Sequence, residues 1–258
     1  MSRYLLEIAF DGTAYHGWQV QPNSVTVQQV MCEKISQITK ERTNVTGCSR
    51  TDAGVHAKQF FCHFDCDADL PERAFVYGLN ALLPGDIAVY SCKKVAGDFH
   101  ARYSAIGKNY IYNFFDGKVL SPFDRRYVYR AKQKIDVDLM NEFCGRIVGQ
   151  HDFVGFSSIH RTVKDTVRTV FECNAVRCGD FVTLSISADG FLYNMVRIIA
   201  GTALEASLGK YANKDFDYII NSKDRNAAGE TLPPHGLFLN KVFYNISDIN
   251  GKDGNLLG

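Results

Sequence analysis

The chain has 258 residues with a formal net charge of +1, 46% hydrophobic and 22% charged residues. That is the composition of an ordinary globular protein with ample core, in one large domain or two small ones, and it excludes a disordered chain and a generic polycation. A nucleic-acid partner would have to be met by a local basic patch, not by bulk charge.

The eight cysteines, at 32, 48, 62, 66, 92, 144, 173 and 178, form no Cys-x-x-Cys pair. Cys62, His63 and Cys66 have no second cluster at zinc-like spacing, so the cysteines read as packing residues of a reducing compartment and no metal is expected. MSRYLLEIAF has no signal-peptide pattern, and no apolar run approaches the roughly 20 residues of a membrane span. A cytoplasmic protein without a membrane segment is expected.

In chain order, Tyr4–Phe10 reads as a buried strand, followed by the Gly-rich loop FDGTAYHGWQVQP. Thr26 with Gln29 spells a capping box. It opens a helix whose apolar face is Val27, Val30, Met31, Ile35 and Ile38. Residues 44–49 are a strand, as are 59–64, where Phe60, Cys62 and Phe64 share a face. Pro71 starts a helix with Phe75, Val76, Leu79 and Leu82, stopped by Pro84-Gly85. Ile87–Val95 is a further strand. The order is β-α-β-β-α-β, a ferredoxin-like unit.

The second half repeats that order. Residues 108–115 alternate as a strand, with Tyr110, Tyr112 and Phe114 on one face. A helix over 138–148 uses Leu139, Phe143 and Ile147. Residues 167–177 and 181–188 form a hairpin across Cys178-Gly179-Asp180. The spacing predicts the longest helix over 191–208, ended by Gly209, and a short one over 214–221. A strand over 237–246 closes the second lobe, and the tail from Asp248 is polar. The expected organisation is α+β: lobes over 1–104 and 105–247, with largely antiparallel sheets, then a tail over 248–258.

Residues 1–104 hold 10 Lys+Arg and 11 Asp+Glu, and residues 105–258 hold 19 and 17. In the second half Arg125, Arg126, Arg130, Lys132 and Lys134 occur with no acid among them, a solvated loop or a phosphate-contacting patch. Arg161, Lys164 and Arg168 form another basic stretch.

The chemistry concentrates in Gly47–Phe60, GCSRTDAGVHAKQF, a loop between two strands. Arg50 and Asp52 lie two residues apart, so an extended backbone puts them on one face. The arginine favours the ionised carboxylate, and an ionised Asp on a loop can act as a nucleophile. An arbitrary Arg-x-Asp pair is equally a weak surface ion pair. Arg197 is the sole charge between Asp189 and Glu205 in an apolar helix, so it needs an acidic partner, Glu205 or another.

The string RTDAGVHA resembles the signature of the TruA-type tRNA pseudouridine synthases. FDGTAYHGWQ at 10–19, FHARYSAIGKNYIY at 99–112, GFLYNMVRIIAG at 190–201 and PPHGLFLNKVFY at 233–244 are similar to further segments of that family. The resemblance implies two ferredoxin-like (RRM-like) lobes flanking a central cleft, a homodimer, tRNA as partner and no cofactor. It implies Asp52 as the catalytic residue, paired with Arg197, and Tyr110 lining the site against the flipped uracil. Arg50 and His56 of the same loop are expected to meet the substrate. The implied target is a uridine at positions 38 to 40 of the anticodon arm. FDGTAYHGWQ supports the Asp52 loop, touches RNA, or simply packs Trp18 and Tyr15. The competing classes are a non-catalytic RNA-binding protein and an Asp-dependent N-glycosidase acting on RNA.

Overall fold

A computed structural model describes residues 1–68, 70–158, 165–211 and 213–245. It is mixed α+β with mostly antiparallel strand pairing, and it divides into two compact units. One is Met1–Gly107 together with the chain from Leu239, and the other is Lys108–Phe238.

The first unit runs β1 (Ser2–Phe10), α1 (Val27–Thr39), β2 (Val45–Gly47), β3 (His56–Cys66), α2 (Glu72–Leu82) and β4 (Ile87–Val95). β1 is central, antiparallel to β3 on one side and to β4 on the other, and β2 pairs with β3. Alternation sets the core face. Tyr4, Leu6 and Ile8 of β1 and Phe60, Cys62 and Phe64 of β3 are all buried, as are Met31 and Ile35 of α1 and Phe75 and Leu79 of α2. Each such side chain contributes roughly 1.5–3 kcal/mol by leaving water. Tyr4 lies against Phe64 and Phe75 with ring centroids at 5.5 and 4.8 Å.

The capping box is half formed. Thr26 Oγ1 accepts the Gln29 amide at 3.3 Å, but the Gln29 side chain donates to Glu33 instead of turning back. Pro71 stands at the N-cap of α2 and not inside it. His63 of β3 is buried and its Nδ1 accepts the Ala101 amide at 3.1 Å. Burial, then Arg3 and His100, push its pKa down to about 4.

The second unit runs β5 (Ala105–Phe115), β6 (Tyr129–Arg130), α3 (Val137–Ile147), β7 (Gly149–Asp152), β8 (Val167–Cys178), β9 (Phe181–Ala188), α4 (Met195–Ser207) and α5 (Asn213–Asn221). β5 and β8 flank β9, all antiparallel, and β7 adds to β8. The β8–β9 hairpin turns at Gly179, φ +60°. Asp136 caps α3 by accepting the Asp138 and Leu139 amides. Tyr112, Phe114, Phe143 and Ile186 are fully buried.

The helix expected over 191–208 is shorter, at 13 residues the same length as α1. Asn194 takes the left-handed conformation, φ 62°, which a helix interior does not permit, so α4 starts after it. Its end is a Schellman motif: the Gly209 amide donates to the Ala206 carbonyl and the Lys210 amide to that of Glu205.

β10 (Leu237–Tyr244) lies beside β3. Leu239 onward, expected in the second lobe, therefore groups with the first unit. Val242 donates its amide to Gln59 Oε1 at 3.1 Å, and Tyr244 donates its hydroxyl to the Ala101 carbonyl at 2.5 Å. All eight cysteines are free, and burial raises the Cys62 and Cys92 thiols, Cys92 to about 12, which makes them inert packing residues.

Candidate active site

The Asp52 loop enters from Cys48, whose amide donates to the Phe61 carbonyl at 2.8 Å while its sulfur accepts the Phe61 amide. It leaves into β3 through Val55, whose amide donates to the Asp52 carbonyl at 3.1 Å. Between these points the loop rests on the segment after β1. Trp18 donates its amide to the Thr51 carbonyl at 3.2 Å, and Gly54 donates its own to Tyr15 at 3.1 Å.

Two glycines make this seat. At Gly17, φ +81°, a Cβ would stand 2.3 Å from the Thr51 carbonyl oxygen, and at Gly12 it would stand 2.0 Å from that of Val55. No side chain fits either place. Trp18, buried against Phe60 at 4.2 Å, and Tyr15, whose hydroxyl donates to Asp86 at 2.6 Å, anchor the seat to the core. FDGTAYHGWQ therefore packs its aromatics and supports the Asp52 loop.

Asp52 is half-buried and Arg50 exposed, whereas His56, expected to meet the substrate, is buried beneath the loop. The Gly12 amide donates to His56 Nδ1 at 3.1 Å. Asp11 Oδ1 lies 3.0 Å from the same nitrogen, but it already accepts the Thr13 amide and hydroxyl. These contacts at Nδ1 hold the seat against the loop. Thr51 Oγ1 is buried with no hydrogen-bond partner among the described residues. An unmade bond of this kind costs about 1–3 kcal/mol.

In the second unit, Arg197 sits in the first turn of α4. Its Nε donates to the Leu232 carbonyl at 2.6 Å and one Nη to Asn194 Oδ1 at 2.7 Å. The Leu232 amide returns a bond to the Arg197 carbonyl at 3.3 Å. Segment 229–232 approaches α4 this closely because residue 201 is glycine, where a Cβ would lie 2.0 Å from the Glu230 carbonyl oxygen. Glu205, the alternative partner suggested by sequence, is occupied by Lys210 at 2.6 Å and by the Tyr211 hydroxyl.

Tyr110, on β5 opposite Ile186 of β9, is 6% exposed, and its ring meets Phe191 edge-to-face at 5.0 Å. The second unit thus brings Tyr110 to the segment that carries Arg197. Tyr112 donates its hydroxyl to the Pro233 carbonyl at 2.8 Å, and burial raises its pKa, so it is a packing residue. Asn194 and Leu232 were invisible to sequence reasoning, although an Asn three residues before a helical Arg is a usable signal. Of the basic stretches, Arg125, Arg126, Arg130 and Lys132 are exposed and Lys134 is ion-paired with Asp116. Arg168 donates to the Val167 carbonyl at 2.5 Å, and Arg161 and Lys164 lie outside the described residues.

A family model described as tRNA pseudouridine synthase matches residues 8–104 and 144–245. The chain belongs to the tRNA pseudouridine synthase family, in its TruA-type branch. It is 43% identical over 244 residues to tRNA pseudouridine synthase A 2 of Clostridium perfringens, covering 95% of this chain and 100% of that one. The enzyme named tRNA pseudouridine synthase A in Clostridium kluyveri gives the same identity and coverage, and that of Geobacter sp. strain M21 is 42% identical over 245 residues, 95% of this chain and 99% of its own. A solved Cbf5-Nop10-Gar1 complex matches over 78% of this chain and 44% of that one at a TM-score of 0.35 and 12% identity, too weak to bear on the fold.

Proposed function

We propose that this protein isomerises uridine to pseudouridine at positions 38 to 40 of the tRNA anticodon arm, with Asp52 as the catalytic carboxylate. Uridine isomerisation in tRNA is the reaction of the family to which the chain belongs. The N1–C1′ bond breaks, a C5–C1′ bond forms, one proton leaves C5 and one arrives at N1. No electron changes hands, so a charged group at the ribose and acid–base groups at the base suffice. The target must first leave the stack, which costs a few kcal/mol.

What carries this reading is the seating of Asp52. A polar loop is clamped where no side chain fits, and its acid is left half-buried. Asp52 acts at C1′ or on a sugar proton and lets the freed uracil turn. Arg197, already fixed through Leu232 and Asn194, orients that carboxylate. Tyr110 stacks on the uracil and assists loss of the C5 proton. Arg50 fills the gap left in the stack, and His56 positions the loop from below. Each half of the protomer is a ferredoxin-like lobe, and the enzyme works as a cytoplasmic homodimer.

Incubation with an unmodified tRNA transcript, followed by chemical labelling of pseudouridine and primer extension, tests the proposal. Stops marking positions 38 to 40, with no change in RNA mass, are expected. Free uracil with an abasic site would instead indicate an N-glycosidase, and binding without conversion an RNA-binding protein. Tyr110→Phe should keep substrate affinity and slow turnover. A parental rate would remove its hydroxyl from the chemistry.

A further inference from the structure

In the second unit, residues 116–118 and 130–134 line a groove of about 600 Å³. The fold pins both walls. The Asp116 amide donates to the Asp180 carbonyl at 3.0 Å, and the Ala131 amide to that of Phe115 at 2.8 Å. β6, which supplies Arg130, lies parallel to β5 with Arg130 opposite Phe115. At position 117 a Cβ would stand 2.3 Å from Asp180 Oδ2, so the turn lies close against that carboxylate.

The acids here are already matched. The Asp116 carboxylate is fully buried and accepts from Arg177 at 3.1 and 2.8 Å, from Lys134 at 2.9 Å and from the Ile135 amide at 2.9 Å. Lys134 also reaches Asp180 at 3.3 Å. Burial alone would raise the Asp116 pKa. Arg177, the Ile135 amide and Lys134 outweigh it and hold the group at about 2.

Lys118, Arg130 and Lys132 therefore line the groove with no acidic partner among the described residues. The Arg130 guanidinium donates one bond, to the Lys118 carbonyl at 2.8 Å, which fixes its fork across the groove with donors to spare. Apart from Gly117 and Ala131, every residue that lines the groove carries a polar or charged side chain. Unmatched cations around a polar groove, with one guanidinium fixed in place, suit a phosphodiester.

We infer that this groove binds backbone phosphates of the substrate RNA through Lys118, Arg130 and Lys132. The inference rests on the tRNA-modifying reading above. Contacts of this kind set register without reading bases.

The test is a double variant, Lys118→Gln with Lys132→Gln, both at exposed positions. The probe is an unmodified tRNA transcript titrated across salt concentrations. Affinity at low salt should fall about ten-fold, and the slope of log Kd against log salt should drop by about 1 to 2. Arg130→Lys should bind better than Arg130→Gln. The control removes the same charge from the same unit at ion-paired sites, Lys210→Gln with Lys223→Gln. A double variant with the parental slope, or a control that lowers it equally, overturns the groove. If the parent protein binds this tRNA but does not convert it, the functional reading falls while the salt slope still decides the groove.

Discussion

The two units fix their key side chains by different means. In the first, Asp52 is placed through the backbone, because the loop around it lies on a glycine seat and is stitched by amide–carbonyl bonds. In the second, Arg197 is placed through its own guanidinium, which grips the Leu232 carbonyl and the Asn194 side chain. The first arrangement should be intolerant of an added methyl group. The second should depend on the side chain itself.

The hardest test of that contrast is Asp52→Asn. Turnover should fall by about 10⁴-fold or more, as for loss of a nucleophile, while tRNA affinity and the melting temperature hold. Comparable turnover in the variant would take the catalytic acid out of the comparison. Next comes Arg197→Ala, expected to lower turnover about 100-fold and stability by about 2–3 kcal/mol, since two charge-assisted bonds go. Arg197→Lys keeps the charge but cannot make both bonds, and it should recover only part of each loss. Denaturant titration beside pseudouridine assays separates the two effects.

Gly17→Ala should cost about 2–4 kcal/mol, from the strained φ and the Thr51 carbonyl together. Gly145→Ala in α3, where a Cβ meets nothing, should instead gain up to about 1 kcal/mol. Equal responses at the two glycines would dissolve the distinction.

Acid should find His63 and Asp116 in separate windows. His63 of the first unit has its pKa lowered to about 4, so below its ordinary value of 6.5 the unfolded chain takes up a proton that the native state refuses. Its contribution, about 2–3 kcal/mol, is complete above pH 6.5 and lost as pH falls to 4. Asp116 of the second unit is held at about 2 against an ordinary 3.8. Its contribution of about 2 kcal/mol is complete above pH 4 and disappears toward pH 2. Chemical denaturation at stepped pH checks this, and His63→Gln should shrink the upper window and leave the lower one unchanged. The smallest effect belongs to Thr51→Val, which removes the unpartnered hydroxyl and should raise stability by about 1 kcal/mol.

Local signals in the sequence were reliable where the cause was local. Ile87–Val95 alternates and is a strand with those bounds, and Thr26 caps α1 as its hydroxyl dictates. The short α4 shows the limit, because Phe191–Asn194 carries helical spacing while Asn194 turns left-handed. The Asp52 string was legible because its residues are contiguous. Its support was not, because Gly17 meets the Thr51 carbonyl across the fold and Arg197 meets that of Leu232, and a backbone carbonyl leaves no mark in sequence. The folded geometry also gives Tyr112 a packing role, since its hydroxyl is tied to Pro233.

β10 joins the first unit although the whole of Lys108–Phe238 is made before it. On the ribosome, then, β3 waits with part of one edge open while the intervening unit emerges and folds. Bare strand edges recruit other strands, so a chain stalled after Gly107 should clump where the finished protein does not. Maturation of the half that carries Asp52 waits for its most distant strand.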